Sequence, residues 1–271
     1  MGSLEGRVAF ITGVARGQGR AHAVRLASEG VAVIGLDVCS NLPTMDYDNA
    51  DEDDLAETAR LVEKEGGRIV ALEADVRDFA SVSKAFEEGF AEFGRVDIIV
   101  ANAGICRYGS EDDPIAVWHD IIATNLTGAF HTVRAALPAM QAGGRGGSIV
   151  LTSSTAGLKG TGSALAGVQA YTAAKRGLVG YMQVLANNLA SEWIRVNTIH
   201  PTGVRSGMTL NEAMQQAAAN MGEAISAMQN ALPIEMLDPE DIANAVAWLV
   251  SDEAKYITGI QLPLDAGFSV R

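Results

Sequence analysis

Apolar residues along this chain fall into short, almost unbroken blocks, separated by longer stretches in which they recur every three or four positions. The blocks are "RVAFITG" from Arg7, "VAVIGLD" from Val31, "RIVALEAD" from Arg68, "VDIIVANAG" from Val96, "GSIVLTSS" from Gly147, "IRVNTIHP" from Ile194 and "IQLPLDAG" from Ile260. Each has strand length, and most lack the alternation of a half-exposed strand. They read as strands covered on both faces, as in a parallel sheet. Helical patterns fill the intervals from Gly17 to Glu29, Asp53 to Glu65, Ser81 to Phe93, Ile115 to Met140 and Tyr171 to Ser191. Another helix opens at "DPEDIANAVAWLV", where Asp238 can cap and Pro239 suits the first turn. Strands alternating with helices predict an α/β fold, a doubly wound parallel sheet of about seven strands. No linker, repeat or low-complexity segment interrupts the 271 residues, so a single domain over 1–271 is expected. The segment from Asn41 to Asp51 reads as a long polar loop.

Composition narrows the classes of function. Hydrophobic residues make up 48%, enough for a large core and against bulk disorder. The net charge of -13 repels phosphate backbones, so no nucleic-acid partner is expected. Seven carboxylates and no Lys or Arg fall between Asp46 and Glu57. Two cysteines, Cys39 and Cys106, make no disulfide framework, which fits a reducing cytoplasm. The four histidines show no metal-ligand spacing, so no metal is expected. "MGSLEGRVAF" lacks the features of a signal peptide, and no apolar run approaches the ~20 residues of a membrane span. A cytoplasmic protein without membrane association is the expectation.

The stretch "FITGVARGQGRAH" places Gly13, Gly17 and Gly19 between the first strand and the first helix. A strand–glycine loop–helix unit aims backbone N–H groups and the positive helix end at an anion, typically a pyrophosphate. Arg16 and Gln18 stand between the glycines; Arg16 is expected to face solvent or the pyrophosphate. Taken alone, the loop fits a tight turn as well. The second strand ends at Asp37, eighteen residues after Gly19, where dinucleotide folds place a carboxylate for the ribose hydroxyls. That carboxylate repels a 2′-phosphate, and no Lys or Arg follows until Arg60, which favours NAD over NADP.

Tyr171 and Lys175 are four apart and share a helix face. A tyrosine ionises near pH 10, too high for a base at neutral pH, and a neighbouring ammonium or an oxidised nicotinamide lowers that value. A phenol so tuned exchanges a proton with an alcohol or carbonyl oxygen. Ser154 follows a strand, at the carboxyl edge where such sheets bind ligands, and its hydroxyl can hold the same oxygen. A Tyr and a Lys at this spacing also occur by chance.

Together, "TGVARGQG", "NAG" at Asn102 to Gly104, Asn125, Ser154 and "YTAAK" resemble the short-chain dehydrogenase/reductase family, in the right order and over nearly the whole chain. The resemblance implies a Rossmann fold in which Tyr171 is the acid/base, Lys175 lowers its pKa and binds the nicotinamide ribose, Ser154 positions the substrate oxygen and Asn125 supports a water-linked proton relay. It implies that Asp75 and Val76 line the adenine pocket and that Asn102, Ala103 and Gly104 border the cofactor. Pro201 and Val204, in "HPTGV" where Pro-Gly is usual, would face the nicotinamide carboxamide. The acid-rich insertion after Asp37, the start "ARGQGRAHAVRLA" and the ending "LPLDAGFSVR" are similar to the mycofactocin-coupled, carveol-dehydrogenase-like branch. That branch is thought to hold NAD without exchange and to pass electrons to mycofactocin. A homotetramer packed through the two long helices is implied as well. Ser154 and Tyr171 are seventeen positions apart, a longer separation than in many members, so residues of "KGTGSALAG" must loop out and Ser153 is an alternative to Ser154.

Substrate chemistry is read from 206–236, a candidate lid. Five of the nine methionines lie from Met208 to Met236, with Met214, Met221 and Met228 spaced by seven. They suit either core packing or an adaptable apolar cover. From Met208 to Pro233 the only charges are Glu212 and Glu223, so a neutral, apolar alcohol or ketone is expected. The loop from Cys39 to Asp51 is either a solvated acidic surface or a cover over the adenosine end. The reading is an NAD-dependent oxidoreductase interconverting an apolar secondary alcohol and its ketone. The alternatives are an NAD(P)H-dependent ketone reductase and a non-catalytic nucleotide-sensing protein, which has no use for the Ser–Tyr–Lys set.

Overall fold

The computed structural model describes residues 4–160, 162–220 and 229–271. All seven apolar blocks are strands: β1 (Val8–Thr12), β2 (Ala32–Asp37), β3 (Ile69–Glu73), β4 (Ile98–Ala101), β5 (Gly147–Thr152), β6 (Ile194–Pro201) and β7 (Gln261–Leu264). They form one sheet in the order β3-β2-β1-β4-β5-β6-β7, every pair parallel. The lack of alternation has the predicted cause. Val8 and Phe10 of β1 enter one apolar layer and Ala9 and Ile11 the other, and β4 divides in the same way.

Helices cover both faces. On one side lie α1 (Gly17–Ala27) and α2 (Glu52–Lys64), which pack Leu26, Leu55 and Val62 against the sheet with Ile242 and Val246 from near the C-terminus. On the other lie α3 (Phe79–Phe93), α4 (Pro114–Ile122) and α5 (Gly128–Gly143), the last two joined through a π turn over Ala123–Thr127. The stretch read as one helix from Ile115 to Met140 is therefore interrupted at Asn125. The remaining helices are α6 (Ala156–Lys159), α7 (Ala166–Leu189), α8 (Glu212–Asn220) and α9 (Pro239–Val250). Helix α7 starts earlier than its apolar pattern shows. The Glu111 carboxylate, remote in sequence, accepts from the N–H of Ala166 at 2.9 Å and of Gly167, so it caps a start that has no local capping residue.

The strand order reverses between β1 and β4, and the carboxyl ends of these strands open a crevice there. Capping also differs among the helices. Asp51, Asp113 and Asp238 cap α2, α4 and α9, whereas α1 has no side-chain cap and no acid in its first turn. Its free N–H groups and positive end point at the crevice.

Candidate active site

A cleft sits at the switch point. Gly13, Arg16, Gly17, Gln18 and Asp37 form one wall; Asp75, Val76, Asn102, Ala103 and Gly104 form another. The glycines are required by contact as well as by conformation. Gly13 and Gly17 have φ of +73° and +56°, and a Cβ on Gly13 would lie 2.8 Å from Ala103 Cα. Gly19 lies beneath the wall, where a Cβ would fall 1.8 Å from the Gly13 carbonyl oxygen; only glycine lets α1 sit this close to β1.

Asp37 accepts from the N–H of Ala15 at 2.9 Å and of Val38 at 2.8 Å. Burial nevertheless raises its pKa, with these N–H groups and Arg16 opposing. A buried carboxylate with spare lone pairs suits two ribose hydroxyls. The Arg16 guanidinium donates to the Asp48 carbonyl at 2.6 Å and lies against Gly207, tying the glycine loop to two other segments. Across the cleft, Asp75 is paired with Arg77 at 2.7 Å, and Arg77 also with Asp120 at 2.8 Å. Burial alone would raise Asp75, but the Arg77 hydrogen bonds hold it below its ordinary value. Arg77 is thus a cation in the cleft wall that is committed to two carboxylates and makes no 2′-phosphate site. Gln18 and Thr124, both in the wall, keep a buried side-chain oxygen with no protein partner. Uncapped α1, the glycine cradle and these orphaned oxygens all fit a dinucleotide.

Tyr171, Lys175 and Ser154 are not among the residues lining this cleft; Lys175 reaches its wall at Gly104, and the Tyr171 ring packs on the cluster that holds Ile105 of the same wall. Tyr171 and Lys175 are one turn apart on α7, and the Ser154 hydroxyl is near enough to the Tyr171 phenol to pull its pKa down. Ser153 is excluded from that role, because its buried hydroxyl donates to the Lys175 carbonyl at 2.7 Å. Ser154 is held from behind by His200 of β6. The Nδ1 nitrogen lies 2.9 Å from the Ser154 carbonyl and Nε2 lies 2.8 Å from the Thr198 hydroxyl. A carbonyl only accepts, so Nδ1 carries the proton, and burial keeps the ring neutral by lowering its pKa.

Lys175 is 3% exposed, and its Nζ donates to the Thr152 carbonyl at 2.7 Å. Burial pulls its pKa to about 8. Its Nζ is 5.5 Å from the centre of the Tyr171 ring. An ammonium has three donors, so two remain for a ligand beside Gly104, where an added Cβ would lie 3.3 Å from Nζ. The expected depression of the phenol does not appear among the protein groups alone. Burial dominates and pushes Tyr171 up, with Cys106 and Tyr47 adding to it and Ser154 opposing. The side chain of Asn125 is occupied, since its amide oxygen accepts from Ile105 N–H and its NH₂ donates to Ile105 carbonyl, each at 2.8 Å. Any relay at Asn125 must use the backbone of the π turn. Pro201 and Val204, like Ser154, Tyr171 and Lys175, are not among the residues lining the cleft: the Pro201 carbonyl accepts from Thr155 N–H at 3.0 Å, and Val204 is buried in a bridge to Leu237.

A family model described as enoyl-(acyl carrier protein) reductase, adh_short_C2, matches residues 13–269. The chain belongs to the short-chain dehydrogenase/reductase family. It is 55% identical to an uncharacterized oxidoreductase of Mycobacterium tuberculosis over 98% of this chain and 97% of the relative. It is 43% identical to the (-)-trans-carveol dehydrogenase of Rhodococcus erythropolis over 100% of both chains. The crystal structure of carveol dehydrogenase from Mycobacterium avium in complex with NAD superposes with a TM-score of 0.92 at 44% identity, covering 100% of both chains.

Several residues of this short-chain dehydrogenase/reductase site were not legible in the sequence. Leu42, Tyr47, Asn49 and Ala50 line the cleft from the polar loop, and Ser206, Gly207 and Met208 line it from the candidate lid. His200 and Glu111 support Ser154 and α7 from distant segments. The run of acids masked the loop's apolar side; the one available signal was Leu42, Met45 and Tyr47 within an otherwise polar stretch.

Proposed function

We propose that this protein is an NAD-dependent dehydrogenase that interconverts an apolar secondary alcohol and its ketone. The observation that carries this reading is the placement of Tyr171 one turn from Lys175 on α7, with the Lys175 ammonium beside Gly104 in the wall of a cleft built from a glycine cradle and Asp37. The carveol dehydrogenase relatives support the substrate class. Asp37 holds the adenosine ribose and disfavours a 2′-phosphate, Gly13, Gly17, Gln18 and Gly19 shape the pyrophosphate site, and Asp75 and Val76 border the adenine. Bound in the cleft, NAD supplies the hydride acceptor and a positive ring that offsets the burial of the phenol. Tyr171 takes the hydroxyl proton while Ser154 holds the oxygen. Lys175, anchored on Thr152, turns its remaining donors to the nicotinamide ribose. The same groups return the proton in ketone reduction.

The segment 206–236 serves as the lid. Met208 lines the cleft and Met214 is half-buried on α8; Met221, Met228 and Glu223 lie outside the described residues. The acidic loop is a strap that slows loss of NAD, supported by the Arg16–Asp48 clip. With NAD held through turnover, reduced cofactor must be re-oxidised in place, and mycofactocin is the acceptor the family resemblance suggests. A cytoplasmic location is supported by two free cysteines; among the described residues no helix is long and apolar enough to cross a membrane. Assembly as a homotetramer through the long helices is supported by large apolar side chains left exposed on them, Phe130 on α5 and Val184 on α7.

The test is Tyr171→Phe. Steady-state oxidation of carveol should fall at least about 100-fold, the scale of acid–base catalysis. Mass and absorbance analysis should still find NAD, and not NADP, on the folded variant. Activity within a few-fold of the parent would remove Tyr171 from the reaction.

A further inference from the structure

The strap from Cys39 to Asp51 reaches well beyond the adenosine half of the cleft. Leu42 and Met45 are buried in an apolar cluster with Ile105, Val117, Ile121 and Ala170, and the rings of Tyr47 and Tyr171 pack on that same cluster. The strap is fastened on this far side. The Thr44 hydroxyl donates to Asp120 at 2.6 Å, Arg107 donates to the Thr44 carbonyl at 2.8 Å, and Asp46 accepts from Tyr108 N–H at 3.3 Å. Tyr47 itself lines the cleft, and its phenol oxygen accepts from Cys106 N–H at 3.3 Å. Its side chain therefore begins on the cofactor side and ends at the segment that flanks the catalytic phenol.

We propose that Tyr47 is a specificity-determining residue: the strap supplies an aromatic wall of the alcohol site, which is complete only when the strap is closed. This rests on the dehydrogenase reading above. The surroundings define what the wall accepts. Burial pushes the Cys106 thiol up to about 12 and the Tyr108 phenol well above its ordinary value, so both stay neutral. One oxygen of the nearby Asp46 carboxylate accepts from the N–H groups of Tyr108 and Gly109, and the other is buried with no partner among the described residues. A ring-sized neutral carbon skeleton gains contact with the Tyr47 face, whereas a short-chain alcohol does not reach it. Because one segment covers the cofactor and completes the substrate pocket, opening the strap for cofactor exchange dismantles the alcohol site at the same time.

The experiment measures binding and turnover separately. In NAD-loaded Tyr171→Phe protein, calorimetry gives the Kd of carveol and of 2-butanol, with and without Tyr47→Ala; turnover of both alcohols is measured in the parent background. Tyr47→Ala should weaken carveol binding about tenfold or more, raise its KM to match, and leave 2-butanol within about twofold. Tyr47→Phe keeps the ring and should keep the preference. Tyr47→Leu retains apolar bulk, and covers the case in which the alanine variant does not fold; it should still lose carveol preference. An unchanged carveol-to-butanol ratio in a folded alanine or leucine variant overturns the proposal, as does failure of the Tyr171→Phe protein to bind carveol. Carveol binding that depends on Tyr47 without turnover in the parent instead sinks the dehydrogenase reading and leaves the wall in place.

Discussion

His22 sits on α1, one turn after Gln18, with no exposed surface and with neither ring nitrogen hydrogen-bonded. Burial lowers its pKa from 6.5 to about 4. At about 1.4 kcal/mol per pH unit, this difference corresponds to about 3 kcal/mol of pH-dependent stability. The folded-state pKa is the lower one, so the unfolded chain takes up the proton first as the pH falls. Stability associated with His22 is intact above pH 6.5, declines through the window down to about pH 4, and is fully lost below it. Replacement by leucine removes both the titration and two unpaired buried nitrogens. At pH 8 His22→Leu should be neutral or stabilising by about 1–2 kcal/mol, because an apolar group of similar size replaces an unsatisfied polar one. On acidification the parent should lose a further 3 kcal/mol or so relative to the variant. Urea unfolding followed by tryptophan fluorescence at pH 8, 6 and 4.5 measures the gap directly. Asp37 and His200 titrate in both proteins and cancel in the difference. Parallel stability curves across that range would mean that the imidazole is solvated or partnered, and would refute the reasoning.

Two further outcomes follow from packing. Gly19→Ala should cost about 3 kcal/mol, at the upper end of overpacking, and abolish retention of NAD, because its methyl would overlap the Gly13 carbonyl; a Tm within a degree of the parent with nucleotide retained would contradict it. Light scattering should give a tetramer for the parent and a smaller species for Val184→Glu, which places charge at a position 57% exposed on an apolar face; a monomeric parent ends the tetramer proposal.

Much of this protein is set by local pattern. Unalternating apolar blocks gave seven parallel strands, since a strand buried on both faces has no polar face to show. The three glycines marked the turn before α1, and the four-residue interval placed Tyr171 and Lys175 on one side of α7, because helix and turn geometry depend on near neighbours along the chain. What depended on contact between distant segments was decided only by the tertiary structure. The sequence favours Ser154 and leaves Ser153 as an alternative; the packing of α7 ties the Ser153 hydroxyl to the Lys175 carbonyl and leaves Ser154 beside Tyr171. Glu111 starts a helix more than fifty residues away in sequence. The acidic stretch reads either as a solvated surface or as a cover; Leu42, Met45 and Tyr47 turn inward, while Thr44 and Asp46 find partners in Asp120, Arg107 and the N–H groups of Tyr108 and Gly109 on the far side of the cleft. The direction of the Tyr171 pKa could not be read from spacing either. Desolvation depends on everything packed around a group, and here it outweighs the opposing contribution of Ser154.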